Sequence, residues 1–165
     1  MRKRSIIVIS GIFLLLIITL LPIHKALKVT NMRDDSLVFC AFVEEGDEFI
    51  LSFVHSINKR AVYEYIKIRE DKLMIYKARY DAFGAGMPEY PAGTATLKMI
   101  DKSVLELDNI NRTVDDITVF VGTIADHQIE IKKHKIALNA IAQPQDSLKF
   151  EVGKISYFDL WKGNF

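Results

Sequence analysis

Two runs decide how this chain folds: Phe49-Ile50-Leu51-Ser52-Phe53-Val54-His55 and Val62-Tyr63-Glu64-Tyr65-Ile66-Lys67-Ile68. Both alternate with a period of two, the pattern of strands that bury one face. The first places Phe49, Leu51, Phe53 and His55 on one side, and the second does the same for Val62, Glu64, Ile66 and Ile68. With the turn centred on Asn58-Lys59, Phe53 faces Glu64 and His55 faces Val62. His55 and Glu64 then lie diagonally on one face, roughly 7–8 Å apart at the backbone. That placement depends on register, because a one-residue slip sends one partner to the other face. An imidazole and a carboxylate on an apolar face suit a site, and they also suit a buried pair that sets register.

The rest of the chain repeats the strand pattern. Leu73 to Tyr80 forms a third strand, and Phe83-Gly84-Ala85-Gly86-Met87-Pro88 a glycine-rich turn. Before the hairpin, Leu37 to Glu44 is apolar on both faces, as a central strand is. After it, Thr94–Ile100, Val104–Leu107, Ile117–Ile124, His127–Lys132 and Leu148–Ile155 read as strands. Asn109 to Thr113 reads as loop, and Ile136–Ala142 as a strand or a short helix. Roughly ten short strands, with no helical stripe beyond the amino terminus, predict an all-β domain. The expected form is an antiparallel β-sandwich or barrel-like domain behind a single N-terminal transmembrane helix.

That helix is read from Arg2-Lys3-Arg4 and the apolar run from Ile6 to Leu21. Leu21-Pro22-Ile23-His24-Lys25-Ala26 fits a signal cleavage site poorly, so an uncleaved anchor is the expectation. Residues 1–27 form the basic tip and anchor, and 28–165 the β domain. The basic cluster before the span places the amino terminus in the cytoplasm and the domain outside the cytoplasmic membrane. The remaining 135 or so residues hold one core and not two.

A formal charge of +1 over 165 residues leaves no electrostatic footprint for nucleic acid. Cys40 is the only cysteine, which excludes an internal disulfide and a cysteine-based zinc site. In Leu37-Val38-Phe39-Cys40-Ala41-Phe42-Val43 it reads as a small buried hydrophobe, not a reactive thiol. Asn111-Arg112-Thr113 is a glycosylation triplet of the kind that arises by chance.

His55 and Glu64 can be a base with its orienting carboxylate, two ligands of a metal, or a structural pair. His127, on the apolar face shared by Ile129 and Ile131, is the candidate third partner. No His-x-His or His-Glu-x-x-His spacing is present, and no metal or cofactor is expected. Gly84-Ala85-Gly86 lacks the Gly-Lys-Ser/Thr ending of a phosphate loop. Its backbone could form an anion-binding nest, or its glycines could simply allow positive φ. Ser56 points away from His55 in a regular strand, so the two make no nucleophile–base pair.

At Phe53-Val54-His55-Ser56-Ile57, Glu64 and Gly84-Ala85-Gly86-Met87-Pro88, the chain resembles the family catalogued as domain of unknown function 1850. Gly122-Thr123-Ile124-Ala125-Asp126-His127 is similar to that family's later histidine-containing stretch, and the likeness covers about residues 37–152. The resemblance implies association with tripartite ATP-independent periplasmic (TRAP) transporters that use TAXI-type solute receptors. On that basis the chain is expected to be an anchored extracytoplasmic accessory or binding module, with a small organic anion as the ligand the resemblance implies. Its partners would be the permease or the solute receptor, with lipid reached through the anchor. His55, Ser56, Glu64, Gly84, Gly86, Pro88 and His127 are its expected ligand-binding or docking residues. The alternative is an anchored extracytoplasmic hydrolase or metal-dependent enzyme using His55, Glu64 and His127.

Overall fold

Strands that bury one face need a second layer, and here two antiparallel sheets supply it for each other. The computed structural model describes residues 2–56, 59–81, 93–101 and 103–162. Helix α1 (Arg2–Leu20) leads into β1 (His24–Asn31), β2 (Ser36–Phe42), β3 (Glu48–Val54), β4 (Ala61–Arg69) and β5 (Lys72–Tyr80). Next come β6 (Thr96–Met99), β7 (Leu105–Val114), β8 (Asp116–Phe120), β9 (Gln128–Ile131) and β10 (His134–Ala137). A 3-10 turn (Leu138–Ala140), β11 (Ser147–Ile155) and α2 (Tyr157–Lys162) complete the described chain. One sheet has the order β2-β1-β11-β8, and the other β10-β9-β3-β4-β5-β7-β6. The expected all-β antiparallel sandwich is the observed architecture.

The core lies between the sheets. Leu27 and Phe150 from the smaller sheet meet Phe49, Ile66, Ile68 and Leu73 from the larger one, all 0–1 % exposed. Each such side chain contributes about 1.5–3 kcal/mol relative to leaving it in water. A second cluster, Val62, Tyr80, Leu105 and Leu107, sits farther along the larger sheet. Cys40 packs with Ala26 and Ile155, and burial pushes its thiol up to about 11, so it is inert at neutral pH.

Local rules explain several joints. The β4–β5 hairpin turns through Glu70 and Asp71 at φ +51° and +60°, and β9–β10 through Lys132 and Lys133 at +48° and +68°. Two successive positive φ values are what a two-residue hairpin loop requires. In β5 a bulge changes the phase: Leu73 and Ile75 face Ile68 and Ile66, whereas Ala78 and Tyr80 face Glu64 and Val62. The mixed alternation of Leu73–Tyr80 is this phase change.

Three expectations are corrected. Asn109 to Thr113 is not loop but part of β7. Its polar residues and two left-handed asparagines, Asn109 at φ +56° and Asn111 at +51°, disguise an irregular strand. The β domain starts at His24, ahead of the expected boundary at 28, because β1 pairs with β11 from His24↔Ile155 onward. Among the described residues no helix is long and apolar enough to cross a membrane. Basic residues take the first turn of α1, and its apolar remainder from Ile6 to Leu20 measures about 22 Å, against a hydrocarbon core of about 30 Å. Its apolar side chains nevertheless face outward, Ile7 at 70 % and Leu15 at 64 % exposure.

The β1–β11 register brings both helices to one end of the sandwich, where α1 touches α2. There the His24 ring packs against Phe42 and Tyr157, at 5.3 and 4.3 Å between centroids. Tyr157 and Phe158 do not close over the core. Both stay more than a third exposed, and Leu160 packs on the Cys40 cluster instead.

Candidate functional site

Glu64 is the inward residue of β4 that breaks an apolar row. Val62, Ile66 and Ile68 on the same face are buried, and Glu64 faces Leu51 on β3 and Ala78 on β5. The register is therefore shifted by two residues from the expected one: Phe53 pairs with Val62, not with Glu64. A two-residue shift keeps both side chains on the inner face and pulls them apart along the strand. His55 lies four residues beyond the partner of Glu64, about 13 Å along the strand direction, so the expected diagonal pair does not form.

Instead the structure brings Glu64 together with His127. The β3–β9 ladder runs through Leu51↔Ile129 and Ser52↔Gln128, and its continuation sets His127 beside Phe53. Their rings lie 5.6 Å apart between centroids. Usual strand spacing and rise put His127 and Glu64 about 12 Å apart at Cα, on either side of β3 in the larger sheet, and both line one slot. That slot has a volume of about 460 Å³ and opens between the sheets. Leu51, Phe53 and Leu138 line it from the larger sheet and the 3-10 turn, and β8 lines it from the smaller sheet through Ile117 and Val119. Two features leave the room: Ala78 beside Glu64 is small, and β8 is an edge strand with no neighbour beyond it in the described sheet.

The electrostatics set this slot apart from ordinary core. Glu64 has no hydrogen bond or ion pair among the described residues. Burial raises its carboxyl above the usual range, and the charge of Arg112 on β7 pulls the other way. Arg112 reaches that side because it pairs with Ile75 at the β5–β7 irregularity. Burial lowers the His127 imidazole below its usual range, opposed by Asp126, and its Nδ1 is sealed from solvent without a partner. An unpaired buried polar group typically costs about 1–3 kcal/mol. One such group beside a half-buried carboxylate in one cavity is a pattern of binding sites more than of packing.

The other expected residues fall elsewhere. His55 is half-buried in the hairpin turn; its N–H donates to the Arg60 carbonyl at 2.8 Å, and its carbonyl accepts from the Lys59 N–H at 2.9 Å. Ser56 is exposed at the same turn. Gly84, Gly86 and Pro88 lie outside the described residues. Among the described residues no cluster of three His, Cys, Asp or Glu side chains is placed to hold a metal ion. The Thr118 hydroxyl is turned toward Met32 Sδ at 3.9 Å, away from a role as nucleophile for His127.

Sequence reasoning missed Phe53, Arg112 and the β8 wall. Phe53 carried a signal, since it shares the inner face with Leu51; β8 carried none, because its approach to β3 and β4 is a long-range contact between sheets. The outer face of the same strands is satisfied within itself. Tyr76 donates to Glu48 at 2.7 Å, Lys67 pairs with Glu48 at 2.9 Å, and Lys77 lies 4.8 Å from the Tyr65 ring centroid.

A family model described as domain of unknown function (DUF1850) matches residues 49–138. Every residue lining the slot falls within that match, from Leu51 to Leu138. No curated protein and no solved structure matches the chain.

Proposed function

The chain belongs to the DUF1850 family, and from that premise we propose that it is a membrane-tethered, non-catalytic binding module serving a solute transporter. The observation that carries this reading is the slot itself. Glu64, without a partner among the described residues, opens on a cavity otherwise lined by uncharged side chains, with the neutral ring of His127 on the far side of β3. Such a site can hold a ligand. It lacks the bonded nucleophile–base pair or assembled ligand set that hydrolysis would use. The hydrolase or metal-enzyme alternative keeps two of its three groups, since His55 lies in the turn.

Tethering is supported by α1, whose apolar side chains face outward along its length, and contiguous apolar surface of that kind suits lipid. Beside it, Trp161 on α2 is 79 % exposed and stacks near Phe158, an arrangement suited to a membrane–water interface. The basic residues that open α1 support an extracytoplasmic domain at the cytoplasmic membrane. The partner is inferred from the family resemblance: a TRAP-type permease or its TAXI-type solute receptor.

The test is gentle-detergent purification of the full chain from its native membranes, followed by size exclusion and mass spectrometry. The expected outcome is a permease or receptor subunit that elutes with the chain in near-equal amount. A chain that leaves the membrane in alkaline carbonate and elutes alone would sink the proposal.

A further inference from the structure

The slot's lining carries information about its ligand. Its polar gap is a carboxylate, and Glu64 is the one charged side chain among the described residues that line it. From β3 the groups facing Glu64 are Leu51 and Phe53, from β5 Ala78, and from β8 Ile117 and Val119, none of them ionisable. His127 before β9 is the titratable group on the far side of β3, and Arg112 on β7 acts on Glu64 through its charge without lining the cavity. An organic anion entering here would meet a like charge in a poorly hydrated space, where such repulsion is strong. A cation would meet an unsatisfied acceptor, and its charge-assisted hydrogen bond would restore what burial took from the carboxylate. The volume of about 460 Å³ lies within the range of small-molecule sites, roughly 300–1,000 Å³.

Resting on the reading of this cavity as a ligand site, we propose that the slot binds a small cationic amphiphile. Its apolar body lies against Phe53, Val119 and Leu138, and its ammonium or amidinium group pairs with Glu64. The His127 ring, stacked on Phe53, closes the wall near the head group and adds no charge while it is neutral. This charge preference is opposite to the organic anion that the family resemblance implies. A transported anion would then be handled by the receptor or permease, with this slot answering to a different molecule.

The probes are three molecules of similar shape: phenethylammonium, 3-phenylpropionate and the neutral 3-phenylpropanol. Each is titrated against the full chain in detergent near pH 5 and near pH 8, following chemical shifts of the slot's aromatic and methyl groups. Phenethylammonium is expected to bind tightest, and tighter near pH 8, because pairing needs Glu64 ionised and its ionisation is delayed by burial. Glu64→Gln is expected to weaken that binding about tenfold or more, while Glu64→Asp keeps the charge and much of the affinity. Preference for 3-phenylpropionate, tightening as pH falls, would overturn the cationic class and leave the slot a ligand site. Equal ammonium binding by Glu64→Gln overturns the assignment to Glu64. If none of the three binds, the ligand class and the binding-module reading both fail.

Discussion

Asp146 and Glu64 are two carboxylates removed from water in opposite ways. Asp146, 3 % exposed, holds the corner where β1 ends and β11 begins. Its Oδ2 accepts from Asn31 Nδ2 at 3.0 Å and from the Gln143 N–H at 2.9 Å. Its Oδ1 lies 2.7 Å from an Arg33 guanidinium nitrogen, an ion-pair contact at angles poor for a hydrogen bond. Glu64, on a central strand of the larger sheet, has no such partner among the described residues and opens on the slot. A buried carboxylate held by two hydrogen bonds and an ion pair is part of the framework. One left unfilled beside a cavity is held there by the surrounding fold at a cost, and is available to a ligand.

The largest expected effect comes from breaking the filled one. Asp146→Ala leaves Asn31 Nδ2 and the Gln143 N–H without their acceptor, while Arg33, 57 % exposed, simply rehydrates. The loss should be about 2–3 kcal/mol, nearly all from the two hydrogen bonds and little from the ion pair. Denaturant titration of the full chain measures it. A loss under about 0.5 kcal/mol would mean that the corner tolerates unpaired groups and would remove the contrast with Glu64.

The opposite sign is expected at Glu64. Glu64→Leu replaces an unpaired buried carboxylate with an apolar side chain, and should stabilise the chain by about 1 kcal/mol at neutral pH while ligand binding is lost. Because burial raises the folded-state pKa of Glu64 above the unfolded value, the protein gives up stability as pH rises from the ordinary carboxylate range through that raised value. The gap between variant and wild type should therefore widen with pH and close in acid. A variant less stable than wild type at all pH values would show that Glu64 is a framework group after all.

These two carboxylates also mark what was legible in the sequence. Glu64 announced itself as a charge in an alternating apolar row, and His127 did so in the same way ahead of Ile129 and Ile131. Alternation likewise revealed β3, β4, β9 and β11. It is blind, however, to a two-residue shift, which returns every side chain to the same face. The His55–Glu64 pairing failed for that reason, while the inward placement of Glu64 held. Asp146, in Gln143-Pro144-Gln145-Asp146, reads as ordinary turn sequence; its role depends on Asn31 and Arg33, more than a hundred residues away. The slot is hidden for the same reason, since β8 meets β3 and β4 only when the sheets stack.

A smaller effect is expected at His127. Burial depresses its folded-state pKa, so stability should fall as pH drops from the ordinary histidine range through the lowered value, the reverse of the trend at Glu64. The two groups of one slot thus place a stability minimum between their titrations. His127→Gln should flatten the limb just below the ordinary histidine range by a few tenths of a kcal/mol, modest because the ring is partly exposed. Imidazole proton shifts followed against pH give the direction independently, and a value at or above the ordinary range would contradict the buried, neutral ring.

The smallest effect should come from the residue that first drew attention. In the hairpin turn the His55 backbone N–H donates to Arg60 and its carbonyl accepts from Lys59, and both bonds survive replacement by alanine. Its side chain lies a strand-length from Glu64 and lines no part of the slot. Changes that far apart act nearly independently, so His55→Ala should leave phenethylammonium binding within about twofold of wild type. A larger loss would mean that β3 and β4 pair in solution in the register the sequence first suggested, with His55 beside Glu64. Glu64 would then be as well partnered as Asp146, and no ligand would be needed to satisfy it.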